Sequence, residues 1–346
     1  MLNKRDLEIL QFIRENPHFS SKEIHGGIQS EIAYATLKRV LSKLISDKLL
    51  VTEGKGRGTK YIIGAAYELF FPISIDSYFE KEIDERDVKP GFNLHLIKDI
   101  LSDIKLFTED ESAHLNTLQK KYTFNITQLT DAEYQKELER LAIDLSWKSS
   151  QIEGNTYSLL ETERLLKEQE TAKGKRKDEA TMLLNHKAAL DFIISEPNYV
   201  NPLTIARIED IHSLLTRDLG IDRNIRKRRV GISGTNYRPL DNEYQIKEAL
   251  EDMCTLVNNR NCIFEKALFL LILISYIQAF NDGNKRTARI ISNAILISSG
   301  YCPLSFRTID AIEYKKAMLI FYEQNNITAL KKIFINQFEF AVNTYF

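Results

Sequence analysis

The densest run of chemistry-bearing residues in this 346-residue chain is Gln278-Ala279-Phe280-Asn281-Asp282-Gly283-Asn284-Lys285-Arg286-Thr287-Ala288-Arg289. An apolar helical stretch ends near Phe280, an Asx/Gly turn follows, and a new helix starts near Lys285. That geometry aims the free backbone N–H groups of Gly283, Asn284 and Lys285 at one point. The helix dipole favours negative charge at the same point. Arg286 and Arg289, three residues apart, project from adjacent turns. Two guanidiniums beside a helix N-terminus suit a polyphosphate, and Asp282 is placed to hold a divalent cation on it. A basic first turn opposes the macrodipole and is a poor stability device, so an anionic ligand accounts for it better than a capped helix with ordinary ion pairs. No G-x-x-x-x-G-K-[ST] occurs, nor a G-x-G-x-x-G after a strand, so P-loop, kinase and Rossmann readings fail.

The run resembles the Fic signature H-x-F-x-[DE]-G-N-[GK]-R-x-x-R, here Gln278-x-Phe280-x-Asp282-Gly283-Asn284-Lys285-Arg286-x-x-Arg289. Farther back, Ser149-x-x-x-Glu153-Gly154 is similar to the family's inhibitory motif [ST]-x-x-x-E-[GN], and Val230-Gly231-Ile232-Ser233-Gly234 lies where the family carries a flap. The resemblance spans roughly residues 70 to 340. It implies binding of ATP with Mg2+ and transfer of AMP to a hydroxyl of a protein target, or of the chain itself. By the same resemblance the Gly283–Lys285 turn would be the anion hole, Asn284 and Arg286 would contact phosphates, Asp282 would coordinate the metal, and Arg289 would clamp the γ-phosphate. The flap around Ile232 would pair with the target segment, and Glu153 would inhibit by occupying Arg289. One departure stands out. The motif's histidine, a general base, is Gln278 here, and a neutral amide orients a hydroxyl but accepts no proton near neutral pH. Whether the chain catalyses is therefore open. A non-catalytic, nucleotide-sensing transcriptional regulator that binds DNA is the alternative, and no sequence feature favours another phosphate-ester reaction. His212 is expected as a helix-packing residue.

The elements that must position these residues fall into two composition regimes. Residues 1–64 hold 11 Lys+Arg against 7 Asp+Glu, a net of +4, inside a chain whose net charge is −1, which leaves −5 for the rest. Helical spacing after Asn3, a capped stretch from Ser20 or Ser21 to Gly26-Gly27, and a third helix from about Ser30 precede two β-rich runs around Gly54-Lys55-Gly56-Arg57-Gly58. Three helices and a basic hairpin resemble a winged helix-turn-helix. Thr36, Arg39 and Lys43 on the third helix, with Lys55, Arg57 and Lys60 on the hairpin, fall where duplex phosphates would lie.

Residues 65–346 are read as the Fic domain, with an inhibitory helix at about 145–157 and a core at about 178–335. The fold class is mainly α, a Fic-type helical bundle with a small β-hairpin flap. Helical patterns cover 132–152, 158–170, 178–194, 203–217, 244–257, 262–279, 285–299, 310–324 and 328–344, with one amphipathic stretch at Leu94–Leu101. Alternation over Arg226–Asn236 predicts a short hairpin. Hydrophobic residues make up 43% of the chain and Pro and Gly are scarce, which excludes a disordered or collagen-like chain. Cys254, Cys262 and Cys302 form no C-x-x-C pair, so no disulfide framework or zinc site is expected. The longest apolar run, Ala267–Ile277, is too short to span a bilayer. These observations predict a cytoplasmic protein with no membrane partner; homodimerisation is left open.

Overall fold

The computed structural model describes residues 2–89 and 91–346, with the Arg57 side chain outside the description. Three helices, α1 (Lys4–Glu15), α2 (Ser21–Gly27) and α3 (Tyr34–Ser46), precede an antiparallel ladder of β1 (Leu50–Glu53) and β2 (Lys60–Ile63). Capping boxes start the first two: Asn3 with Asp6 in α1 and Ser20 with Glu23 in α2. The third helix begins at Tyr34, four residues later than Ser30. The Glu8 carboxylate accepts the N–H groups of Gln29 and Ser30 at 2.7 and 2.9 Å and holds that stretch out of helical conformation.

Two short helices, α4 (Tyr67–Phe70) and α5 (Ile75–Phe79), and a π-helical turn at Leu96–Leu101 lead into the helical body. It comprises α6 (Glu109–Ile126), α7 (Asp131–Ile152), α8 (Leu159–Glu168), α9 (Lys177–Ser195), α10 (Ile205–Thr216), α11 (Glu243–Asn259), α12 (Ile263–Ile277), α13 (Asn284–Ser298), α14 (Ala311–Gln324) and α15 (Thr328–Thr344). The sequence patterns predict no helix over α6. It buries Leu115, Leu118 and Tyr122 along an otherwise polar helix, so its apolar stripe is faint; its capping box, Thr108 with Glu111, was the available signal.

α12 is the central strut. Almost all of its side chains, from Phe264 to Ile277, are buried, so it is apolar all round and packs along α13. Each fully buried Leu or Ile there contributes about 1.5–3 kcal/mol. Cys254 and Cys302 are buried, and all three cysteines are free. Among the described residues no helix is long and apolar enough to cross a membrane.

The stretch 226–236 departs from expectation, because it contains no strand. It runs as an irregular segment with a turn at Ser233-Gly234, where Gly234 has φ +88°. Its first residue is pinned to the loop before α13: the Arg226 N–H donates to the Ala279 carbonyl at 2.9 Å, and the Arg226 guanidinium donates to the carbonyls of Gln278, Arg228 and Leu240. Tyr237 is buried at the other root, with its hydroxyl 3.3 Å from the Tyr276 carbonyl. Anchored at both roots to other elements, the segment has no ladder of its own.

Candidate functional site

The loop between α12 and α13 is built to hold one shape. Gln278 ends α12 in the left-handed region (φ +52°) and Gly283 precedes α13 in the same region (φ +81°). A Cβ at Gly283 would lie 3.2 Å from Thr216 and 3.3 Å from His212, so both conformation and space favour glycine there. The Asn284 side chain is turned inward, closing the loop on itself. Its Oδ1 accepts the Phe280 N–H at 2.9 Å, and its Nδ2 donates to the Phe280 carbonyl at 2.8 Å and to Gln278 Oε1 at 3.1 Å. A phosphate would therefore meet the Asn284 backbone rather than its amide.

The first bond closing onto α13 runs from the Thr287 N–H to the Gly283 carbonyl. The preceding N–H groups of Asn284, Lys285 and Arg286 thus have no helical acceptor, as at any helix start. The Gly283 N–H is taken by Asp282 Oδ1 at 2.6 Å, which removes it from the expected anion hole.

His212 on α10 supports the loop from below. Its ring stacks on Phe280 with centroids 3.7 Å apart and 6° between planes, and Nε2 donates to the Asp282 carbonyl at 2.9 Å. Burial lowers its pKa, against the opposing pull of that carbonyl. His212 was read as a packing residue, and it does pack, but against the loop itself; no local sequence signal reveals that.

Arg289 is fully buried and points at the C-terminus of α7. Its Nη2 lies 2.8 Å from Glu153 Oε1 and donates to the Ser149 carbonyl at 3.0 Å, while Nε donates to Ser149 Oγ at 2.8 Å. The Tyr314 ring lies 5.4 Å from its guanidinium carbon. Lys285 Nζ stands 3.7 Å from Glu153 Oε2, so one carboxylate faces two cations of the α13 start.

Burial would raise the Glu153 carboxyl, but Arg289 and then Lys285 outweigh it and leave its pKa below the ordinary value. α7 ends at Ile152, as the helical pattern over 132–152 gives it and short of the 157 given for the inhibitory helix, because Gly154 (φ +99°) closes a Schellman motif: its N–H bonds the Gln151 carbonyl and the Asn155 N–H bonds that of Ser150. Glu153 is the capping residue, its N–H bonded to the Ser150 carbonyl at the helix end.

Arg286 is 1% exposed and reaches the Leu215 carbonyl and Asp282 Oδ2, both at 3.3 Å. Asp282 itself is 66% exposed. No group of three His, Cys, Asp or Glu among the described residues could hold a metal by itself. One accessible carboxylate beside a phosphate site fits a divalent cation that keeps water and phosphate oxygens as its other ligands. The Gln278 amide is engaged at both ends, Nε2 donating to the Ser275 carbonyl at 2.6 Å and Oε1 accepting from Asn284.

Residues 202–296, which contain α10 to α12, nearly all of α13 and the loop just described, match the family model described as Fic/DOC family. This segment is similar to a Fic domain. The chain is 28% identical over 169 residues to protein adenylyltransferase Fic of Aedes aegypti, covering 44% of this chain and 32% of that protein. It is 28% identical over 170 residues to protein adenylyltransferase fic-1 of Caenorhabditis elegans, covering 47% and 33%. The chain thus spans about a third of the length of these curated relatives. In fold it is similar to a solved fragment of Fic-1 from C. elegans, with TM-score 0.59, 21% identity and coverage of 68% and 72%. A Fic domain containing signaling protein from Bacteroides thetaiotaomicron gives TM-score 0.55 at 19% identity, covering 66% and 96%. The segment matched by the family model leaves out Glu153, which α7 brings to it.

Around the flap, Val230 and Ile232 are half-buried, and Gly231, Ser233 and Gly234 are exposed. Among the described residues, the backbone groups of Val230 to Ser233 make no hydrogen bond. In the N-terminal unit Arg39 and Lys55 are exposed and Thr36 is half-buried. Lys43 lies 3.7 Å from Asp6 and Lys60 lies 3.1 Å from Glu23, so two of the expected phosphate contacts already face carboxylates. The Arg57 side chain falls outside the described residues.

Proposed function

We propose that this chain binds ATP at the start of α13 as an adenylyltransferase-like Fic protein held off by Glu153. The observation that supports the reading is the Glu153–Arg289 contact at 2.8 Å, a carboxylate that would compete with a terminal phosphate for the guanidinium. The N–H groups of Asn284 to Arg286 and the Arg286 guanidinium would receive the inner phosphates. Asp282 would hold the divalent cation, which neutralises phosphate charge when bound.

In the reaction a hydroxyl of the protein acceptor attacks the α-phosphorus. Its O–P bond forms as the bond to pyrophosphate breaks, and the hydroxyl proton leaves to solvent water. Gln278 cannot take it, so positioning and electrostatics remain while general-base help is lost, a deficit of about 10²–10⁴-fold. The free edge of Val230–Ser233 would receive the acceptor segment by strand pairing. Transfer of label from α-phosphate-labelled ATP to lysate proteins or to the chain itself tests this. Glu153→Gly should increase it and adding Gln278→His should increase it further; absence of transfer by the double variant would reject an adenylyltransferase.

A second reading is favoured by the Gln278 amide, whose two ends are both engaged within the loop. On that reading the site senses nucleotide without chemistry, and residues 1–64 act as a winged helix-turn-helix on DNA through Thr36, Arg39, Lys43, Lys55, Arg57 and Lys60. Nucleotide binding with no transfer even by the double variant, together with salt-sensitive binding to duplex DNA, would select it.

A further inference from the structure

Between the N-terminal unit and the helical body, residues 75–89 form a strap carrying Arg86, whose side chain is 3% exposed although it belongs to no part of the anion site. Its guanidinium carbon lies 5.1 Å from the Phe79 ring centroid and 6.0 Å from that of Tyr78. Nη1 faces Glu323 Oε1 of α14 at 3.2 Å, and Glu323 is fully buried, its other oxygen accepting from the Tyr78 hydroxyl at 2.6 Å. Nη2 donates to the Gly234 carbonyl at 2.7 Å. Beside it, Asn236 Nδ2 donates to Asp84 Oδ1 at 2.9 Å. A buried ion pair is a weak stability device compared with apolar packing, whereas a guanidinium lodged beside the Glu323 carboxylate and the Phe79 ring is well suited to hold a carbonyl in one place. Within residues 230–234, Gly234 O is the one backbone group bonded from outside the segment, among the described residues.

We propose that Arg86 is a positioning residue for the flap, fixing the Gly234 carbonyl and with it the register of the free edge Val230–Ser233. The flap is then presented by a residue 148 positions away in sequence, on the strap that follows the N-terminal unit. The inference rests on the reading of 230–234 as a docking edge, and the test separates the two.

Trypsin cleavage of the full chain after Lys227, Arg228 or Arg229, measured by mass spectrometry against cleavage after Lys173 as an internal reference, reports opening of the flap root. Losing a charge-assisted hydrogen bond should raise flap cleavage about tenfold or more in Arg86→Ala. The Lys173 cut and ATP affinity should stay within about twofold, with partial rescue by Arg86→Lys, whose single ammonium satisfies one partner at a time. Flap cleavage unchanged relative to Lys173 in Arg86→Ala overturns the inference. If Arg86→Ala fails to fold, Arg86→Lys decides: a smaller but measurable rise supports it and no rise overturns it. The same change placed in a Glu153→Gly, Gln278→His background tests docking separately. Faster cleavage with reduced transfer to lysate proteins supports both readings; faster cleavage with unchanged transfer leaves Arg86's hold standing and removes the docking role.

Discussion

Glu153 stands at the C-terminus of α7 and Lys285 and Arg286 in the first turn of α13, each at the helix end whose dipole disfavours its charge. Brought together, the wrong-signed ends satisfy one another, and either would be released by a ligand that replaced the other. Removing Glu153 leaves a buried guanidinium without its carboxylate, so Glu153→Gly should destabilise the ligand-free protein by about 3 kcal/mol, with most of the loss returned by ATP. Thermal unfolding with and without nucleotide checks this. Because the native Glu153 pKa is lowered, its stabilising contribution is complete above the ordinary glutamate value and is lost only as pH falls through the lower native one. The clamp should therefore be intact at neutral pH. At this scale the sequence was readable where the residues are contiguous: the 278–289 run and the Ser149–Gly154 motif both carry their spacing on their face. The inward turn of the Asn284 amide and the second cation at Lys285 depend on three-dimensional placement that spacing does not encode.

The loop's shape is a property of elements rather than single residues, since α10 supplies the surface on which it rests. His212 and His186 are both fully buried in the helical body, and both pKa values are lowered, in each case chiefly by burial; at His186 Arg289 and Arg286 add to the effect. The unfolded chain takes up protons on them at a higher pH than the folded one, so stability is present above the ordinary histidine value and falls as pH drops below it. A melting temperature that declines from pH about 6.5 toward 5, with a shallower decline in His186→Phe, is the expected outcome. His212→Leu should keep the fold but weaken ATP binding, because the Asp282 carbonyl loses its donor; calorimetry at constant pH reads that effect. Helix boundaries were legible to within a few residues for α7 to α15. α6 was not, since Leu115, Leu118 and Tyr122 make too thin a stripe. The flap was misread as a hairpin because alternation shows which side chains face inward but not that Arg226 and Tyr237 tie the backbone to other elements.

Across the whole molecule the near-neutral charge is a cancellation between a +4 N-terminal unit and a −5 remainder. Just beyond the N-terminal unit, α4 is tied to the helical body: the Ile327 N–H meets the Leu69 carbonyl at 3.0 Å, and Asn326 Nδ2 donates to the carbonyls of Glu68 and Phe71 at 2.8 and 2.6 Å. No sequence signal announces these joins, because each pairs residues more than 250 positions apart. If the N-terminal unit binds duplex DNA, affinity should fall with salt with a logarithmic slope of about −3, and Arg39→Ala should reduce that slope by about 1. An affinity insensitive to salt would exclude phosphate contacts as its source. The claim on which the functional account turns is that α7, from outside the matched segment, occupies a nucleotide site within it through Glu153. Calorimetric titration of ATP with Mg2+ into the wild-type chain and Glu153→Gly tests it most directly. The account predicts at least about tenfold tighter binding to Glu153→Gly, the return of one charged partner to Arg289; equal affinity in the two proteins, or no binding to either, would contradict it.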